Sequence, residues 1–344
     1  MGKLPKIKPR GSRRTKTTMA NTCEKDGVQI DRRLKRKSRK PRASSFGHDQ
    51  DSFKEAFRTF CERTLQTGVK LLAEEFITLK LATHSIGNRP KTAFDANPDK
   101  KPLQSGLKKC CDYINANWIK VADQEKKFIC TQGPINKTIN DFWRMIWQEK
   151  CKSIVMLCNV TECGEPKCEQ YWPLTAESPM KLASGLTVKF ISAEATEESV
   201  HLTKIEISDR KGAQLMVEHY HWTSWPDRDV PKTTTLTAFR ILNRVNGLTP
   251  CVVHCSAGRG RTGTIVALDM LYRRLERGDK DVTLLEVVTE LREMRHAAVQ
   301  MDCQYVFMHH ILLILAENLK IITAVETEKF QQEWEYFLKN RLFP

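Results

Sequence analysis

The sequence predicts an α/β (α+β) protein, with a central twisted mixed sheet flanked by helices and a disordered basic tail at its N-terminus. Three observations carry that expectation. Thr187 to Ser192, Val200 to Ser208 and Gln214 to Trp222 alternate or run apolar with β-branched enrichment, as successive strands of one sheet do. Cys251 to His254, a short strand-like run, passes through a tight loop into Ile265, Leu268, Leu271, Tyr272 and Leu275 at helical spacing, with Gly278 as the stop. The 344 residues suit one large α/β domain plus tails.

Residues 1–50 form the tail. They hold 16 of the 56 Lys and Arg but only 4 of the 41 Asp and Glu, so twelve of the fifteen net positive charges lie there. A segment so polar buries too little to offset its ordering entropy. Its densest part, Arg32 to Arg42, fits a nuclear import signal, an anchor to acidic lipid or nucleic acid, a docking arm for acidic partners, or a merely solvating tail.

Order is expected from Ser52, where Ser52 and Glu55 fit a capping box and Phe53, Phe57 and Phe60 share a helical face closed by Gly68. A second amphipathic helix follows from Val69 to about Ala82. After the three strands, Trp225-Pro226-Asp227 breaks the pattern, and a helix is expected from near Thr233 to Gly247. Thr283 and Glu286 fit another capping box, Asp302 is placed as the cap of a long helix through Lys320, and residues 325–344 add a helix carrying Phe330, Trp334 and Phe337.

Composition narrows the function classes. Twelve cysteines invite a disulfide framework, but no secretory h-region precedes them and a domain of this size needs no staples, so they read as reduced thiols. Cys158, Cys163 and Cys168 recur at five-residue intervals and Cys110 adjoins Cys111; neither is a metal-binding C-x2-C pair, and no metal is expected. The longest apolar run, Ile311 to Ala316, is too short to span a bilayer, so the expectation is a soluble cytoplasmic protein without an integral membrane segment, nuclear entry left open.

The chemistry-bearing stretch is Cys251 to Gly263, C-V-V-H-C-S-A-G-R-G-R-T-G. Gly258 and Gly260 let the loop turn tightly, its backbone N–H groups converge, and the helix behind adds partial positive charge, which together make an anion cradle. Cys255 opens the cradle and Arg261 closes it. A thiol there is expected to act as a nucleophile, because positive helix ends and cationic neighbours favour the thiolate. The planar fork of Arg261 suits two phosphoryl oxygens.

The run His254 to Gly263 resembles, position for position, the signature of the cysteine-dependent, phosphotyrosine-specific protein tyrosine phosphatases, here of non-receptor type. Further resemblance lies at Asp112 to Asn117, Phe128 to Pro134, Asp141 to Trp147, Glu162 to Pro173, Trp225 to Asp227 and Gln300 to Tyr305, covering about residues 52–320. The resemblance implies a single catalytic domain over 51–320, a C-terminal helical extension over 321–344, and hydrolysis of phosphotyrosine in proteins without a cofactor. In that scheme Cys255 attacks phosphorus, Asp227 is general acid and then base, and Ser256, Ala257, Gly258, Arg259, Gly260 and Arg261 bind the phosphate. Thr262 hydrogen-bonds the thiolate, and Gln300, helped by Gln304, places the water. Glu162 would brace Arg261, Lys167 would reach toward the acid loop, and Tyr171 would hydrogen-bond His254. Splitting one displacement into two lowers each barrier.

Three departures stand out. Pro90 follows Asn88-Arg89 where the family has a tyrosine that stacks on the substrate ring, Thr92 stands where an aspartate holds the substrate backbone, and Asp229 replaces a glycine just after the acid loop. Two other readings therefore stay beside the first: a weakly active or inactive phosphotyrosine-binding protein, and a phosphatase of broader specificity. Oligomeric state is not legible.

Overall fold

The segments expected to be strands do pair. In the computed structural model the described residues are 46–85, 113–122, 124–197, 199–232 and 236–341. The elements in chain order are α1 (Phe46–Ser85), β1 (Ala116–Val121), β2 (Gln124–Gln132), α2 (Ile139–Glu149), β3 (Ser153–Met156), β4 (Thr161–Glu162), β5 (Glu165–Pro166), β6 (Met180–Lys181), β7 (Thr187–Glu197), β8 (Val200–Ser208), β9 (Gln214–Trp222), α3 (Thr237–Val245), β10 (Cys251–Cys255), α4 (Gly260–Glu276), α5 (Leu284–Met294), α6 (Asp302–Asn318) and α7 (Ala324–Asn340).

Among the described residues, an eight-stranded mixed sheet runs in the order β1-β2-β10-β3-β9-β8-β7-β6. Its middle is parallel: β10 lies between β2 and β3, and β3 pairs with β9. The flanks are antiparallel. Every residue of β3 and β10 is buried, as strands covered on both faces must be, whereas β8 lets polar residues surface between buried ones. The four parallel strands end on the same side of the sheet. The loops that follow β2, β3, β9 and β10 therefore converge at the carboxyl ends, where open α/β sheets hold ligands.

Helices cover the sheet, and several expected boundaries move. Residues 46–50, assigned to the tail from sequence, belong to α1, so Ser52 lies inside the helix rather than capping it. No proline interrupts Phe46 to Asp51, and extending an existing helix costs less than nucleating one. Gly68 breaks α1 as expected, but by a kink (φ 74°, ψ 165°) rather than a loop. The freed Val69 N–H donates to Glu333 of α7 at 3.1 Å. Thr283 caps α5 by accepting from Glu286 N–H at 3.2 Å. α3 spans Thr237–Val245, and the expected start near Thr233 lies outside the described residues; α6 takes Met301 as its cap and ends at Asn318. Asp302 is the first residue of α6, its carboxylate accepting from Cys303 N–H at 2.7 Å.

α7 packs on α1 and α6 through Phe330 and Trp334, which bury against His310, the Trp334 ring 5.2 Å from the imidazole. Nine described cysteines are free thiols. No helix among the described residues is long and apolar enough to cross a membrane. The basic run Arg32 to Arg42, Asn88 to Thr92, and Cys110 and Cys111 lie outside the described residues.

Candidate active site

The loop from Cys255 to Arg259 can be understood by asking where its carbonyls go. The Cys255 carbonyl accepts from His254 Nδ1 (3.2 Å) and that of Ser256 from Gly133 N–H (2.9 Å). Those of Ala257 and Gly258 accept from Arg295 (3.3 and 3.0 Å). The Arg259 carbonyl accepts from Gly263 and Val299 N–H (2.8 and 3.0 Å). Each carbonyl is engaged on the outside of the loop. In a planar trans peptide the following N–H points the opposite way, so the amides of residues 256–260 face the centre. Gly258 is obligatory in this turn: its φ is +66°, and a Cβ there would lie 2.0 Å from the Thr131 carbonyl oxygen. Cys255 sits at the mouth, 3% exposed, at the carboxyl end of β10, and α4 starts behind it at Gly260.

Arg261 enters from the first turn of α4 and is 2% exposed. Its fork is held by Glu162 at 2.6 and 2.9 Å, and its Nη1 also donates to the Trp225 carbonyl at 2.9 Å. Burial opposes its charge, but the Glu162 carboxylate outweighs that and drives the guanidinium pKa upward. The expected brace is therefore in place. Its Nη2 donates to Asp227 Oδ1 at 3.2 Å, and Lys167 Nζ to Asp227 Oδ2 at 3.0 Å. Burial pushes the Asp227 carboxyl up, but the Lys167 hydrogen bond, the charges of Arg261 and Lys167, and the Arg228 N–H together bring it below the usual range. The loop that carries Asp227 is anchored by Trp225, which is buried and donates its indole N–H to the Asp229 carbonyl at 2.8 Å.

Beneath the cysteine lies a buried polar chain. Tyr171 Oη lies 2.7 Å from His254 Nε2 and 2.6 Å from His219 Nε2. His254 Nδ1 faces a carbonyl oxygen, so it carries the proton and its Nε2 accepts from the Tyr171 hydroxyl. The tyrosine oxygen in turn accepts from His219 Nε2–H. This leaves His219 Nδ1 as a bare lone pair, consistent with its having no partner among the described residues. Burial keeps both imidazoles neutral, that of His254 pushed down to about 3.

Gln300 and Gln304 approach the start of α4 from the far side. A Cβ on Gly260 would lie 2.8 Å from Gln300 Oε1 and 3.2 Å from Gln304 Nε2, so the missing side chain makes room for both. Gln304 Oε1 accepts from the N–H of Gln300 and Met301 (3.2 and 3.3 Å), bracing the loop. Thr262 departs from expectation. Its hydroxyl is buried without a partner among the described residues, and the bond to the cysteine sulfur, a weak acceptor, is not made.

The residues named from the sequence lie on or around this loop, Thr262 without its expected contact, and four others that were missed contact the same region. Arg295 holds two cradle carbonyls and also Asn115 and Asn117 at 2.9 and 2.7 Å; Arg292 donates to the Ala298 and Val299 carbonyls at 2.9 Å each, fixing the approach to Gln300. His219 completes the buried chain, and Arg341 contacts Asp229 at 3.2 Å. An arginine pair at the end of an otherwise apolar helix face was the available signal for the first two.

A family model described as protein-tyrosine phosphatase matches residues 90–314. Receptor-type tyrosine-protein phosphatase H of Homo sapiens is 38% identical over 210 residues, covering 59% of this chain and 18% of the relative. Tyrosine-protein phosphatase 69D of Drosophila melanogaster is 38% identical over 231 residues, covering 64% of this chain and 16% of the relative. The chain thus spans less than a fifth of the length of these two curated relatives. Among solved structures, the catalytic domain of human protein tyrosine phosphatase non-receptor type 18 superposes with a TM-score of 0.63 at 28% identity, covering 75% of this chain and 99% of that one. PTPN18 in complex with HER2-pY1196 phosphopeptides gives 0.65 at 29% identity, covering 75% and 98%.

Proposed function

The chain belongs to the protein-tyrosine phosphatase family, and from that premise we propose that it hydrolyses phosphotyrosine in proteins through a cysteinyl-phosphate intermediate. One observation carries the reading: the carbonyls of residues 255–259 are all engaged, which turns the amides that follow inward behind Cys255, and Arg261 at the end of that loop contacts Asp227 at 3.2 Å. The complex of PTPN18 with phosphopeptides supports phosphotyrosyl substrates for this chain.

In the first step Cys255 Sγ forms a bond to phosphorus while the bond to the tyrosine oxygen breaks, and Asp227 delivers its proton to the departing oxygen. Arg261 and the amides of the cradle hold the three equatorial oxygens, whose charge they match without reorganising. Paired to Arg261 and Lys167, Asp227 is held ionised. An incoming dianion competes for Arg261 and weakens the contact that favours the carboxylate, so protonated Asp227 becomes accessible where a proton is needed. In the second step water placed by Gln300 attacks phosphorus, Asp227 takes its proton, and the S–P bond breaks. The Thr262 hydroxyl, which has no partner among the described residues, would donate to the sulfur as it leaves.

With α1 included, residues 46–320 would form the catalytic domain, 321–344 a helical extension, and 1–45 a basic tail for acidic partners, with the cytoplasm as the working compartment and nuclear entry through Arg32 to Arg42. Imaging of the tagged chain with and without that run tests the last assignment.

The central test is hydrolysis of a phosphotyrosyl peptide and its phosphoseryl counterpart by the full chain, with Asp227→Ala alongside, across pH 5 to 8. Turnover of the phosphotyrosyl peptide that collapses in the variant is the expected result. Equal turnover of both peptides favours the broader specificity suggested by Pro90. Tight binding without turnover would leave a phosphotyrosine reader.

A further inference from the structure

The end of α7 reaches the acid loop. Arg341 Nη1 lies 3.2 Å from Asp229 Oδ1 and its Nη2 3.7 Å from Asp302 Oδ1. The arginine side chain is 8% exposed, and its guanidinium lies over the Phe337 ring, 5.9 Å from the centroid. Exposed ion pairs contribute little, but a partly buried one is screened less, and removing one partner leaves a desolvated charge behind.

Both acids are significantly placed. Asp229 stands two residues after Asp227, and its carbonyl receives the Trp225 indole, so moving it moves the loop. Asp302 stands two residues after Gln300 and opens α6. One guanidinium therefore touches the loop that carries the proposed acid and the helix start beside the loop that carries the proposed water-placing amide. Asp229 is also the position where the resembled family has glycine. The left-handed residue of this loop is Arg228 (φ 53°), so a side chain at 229 brings no backbone strain and is free to serve as a receptor for Arg341. The far end of the strut is fixed as well: Phe330 and Trp334 are buried, and Glu333 fills the break in α1.

We propose that Arg341 is a positioning residue that, through Asp229 and Asp302, holds the acid loop with Asp227 over the cradle. This rests on the assignment of Asp227 as the general acid. Removing the latch lowers the fraction of time the proton is in place, without altering the cradle that binds phosphate.

The test compares phenyl phosphate, whose leaving group needs a proton, with 2,4-dinitrophenyl phosphate, whose leaving group departs without one. Full-length wild type, Asp227→Asn, Arg341→Met, Asp229→Asn and the Arg341→Met/Asp229→Asn double variant are assayed on both. Because kcat/KM reports the first step alone, Asp227→Asn should lose about 10²-fold or more in kcat/KM on phenyl phosphate and little on the dinitrophenyl ester. Arg341→Met and Asp229→Asn should each lose about threefold to tenfold in kcat/KM on phenyl phosphate, with affinity for inorganic phosphate unchanged, and less than about twofold in kcat/KM on the other ester. The double variant should be no worse than either single, as partners in one contact are non-additive. Equal losses on both esters, or additive losses, would mean that α7 only stabilises the fold. Wild-type kinetics in Arg341→Met beside a selective defect in Asp227→Asn would overturn the latch alone. A flat Asp227→Asn profile would remove the acid assignment and the latch together.

Discussion

The cradle and the acid loop meet at Arg261, yet they are held by different kinds of bond. The cradle hangs on backbone carbonyls, engaged by the His254 ring, by the N–H groups of Gly133, Gly263 and Val299, and by the buried Arg295. The acid loop is held over it by side-chain ion pairs to Lys167, Arg261 and Arg341, with Asp227 still 35% exposed. Backbone contacts inside a core cannot be exchanged without opening that core. Ion pairs at a rim can be exchanged for a substrate. On the proposed mechanism, anion binding would thus be fixed into the fold, while proton delivery would be mounted on contacts that a phosphate could compete away.

The strongest way to test that division is at the nucleophile. Cys255→Ser should abolish turnover while phosphopeptide binding persists; measurable turnover would reject the covalent route. Next comes the acid. Asp227→Asn should lower phosphopeptide kcat by about 10²- to 10⁴-fold and leave affinity for inorganic phosphate within a few-fold. A matching loss of phosphate affinity would show that loop and cradle are not separable. The complementary change is Gly258→Ala, which forces a Cβ into the Thr131 carbonyl. Phosphate affinity should fall more than tenfold and Tm should drop, because the amide ring itself is displaced.

Smaller effects lie further from the phosphate. Tyr171→Phe leaves the His254 and His219 nitrogens without their shared hydroxyl, a cost of about 1–3 kcal/mol read as a lower denaturant midpoint. His310, buried between α6 and α7, is pushed down to about 4 by desolvation. Above its unfolded value of 6.5 it is neutral in both states. As pH falls from 6.5 toward 4, the unfolded chain takes a proton that the folded chain refuses, and stability is lost. The loss at pH 5 is about 2 kcal/mol. His310→Phe should remove that part of the acid limb, measured as the difference in unfolding free energy between pH 7 and pH 5.

The same contrast explains what the sequence revealed. Strand, loop and helix of the cradle are contiguous, so thirteen residues display the whole device, and the parallel core strands announce themselves as apolar runs. Asp227 was legible through its Trp-Pro context. Arg295 and Arg341 were not: one contacts Asn115, 180 positions away, and the other Asp229, 112 away. Contacts of that kind leave no period or spacing in a single chain. Helix starts were misjudged for a related reason, since Ser52 fits a cap pattern locally while the chain before it propagates the helix.

The break in α1 has a consequence for how the chain is made. The Val69 amide finds its acceptor on Glu333, 264 residues later. At about 5–20 residues per second on the ribosome, the second half of α1 waits on the order of tens of seconds for that carboxylate to emerge. Among the described helices, the one made first is thus among the last to gain all its partners.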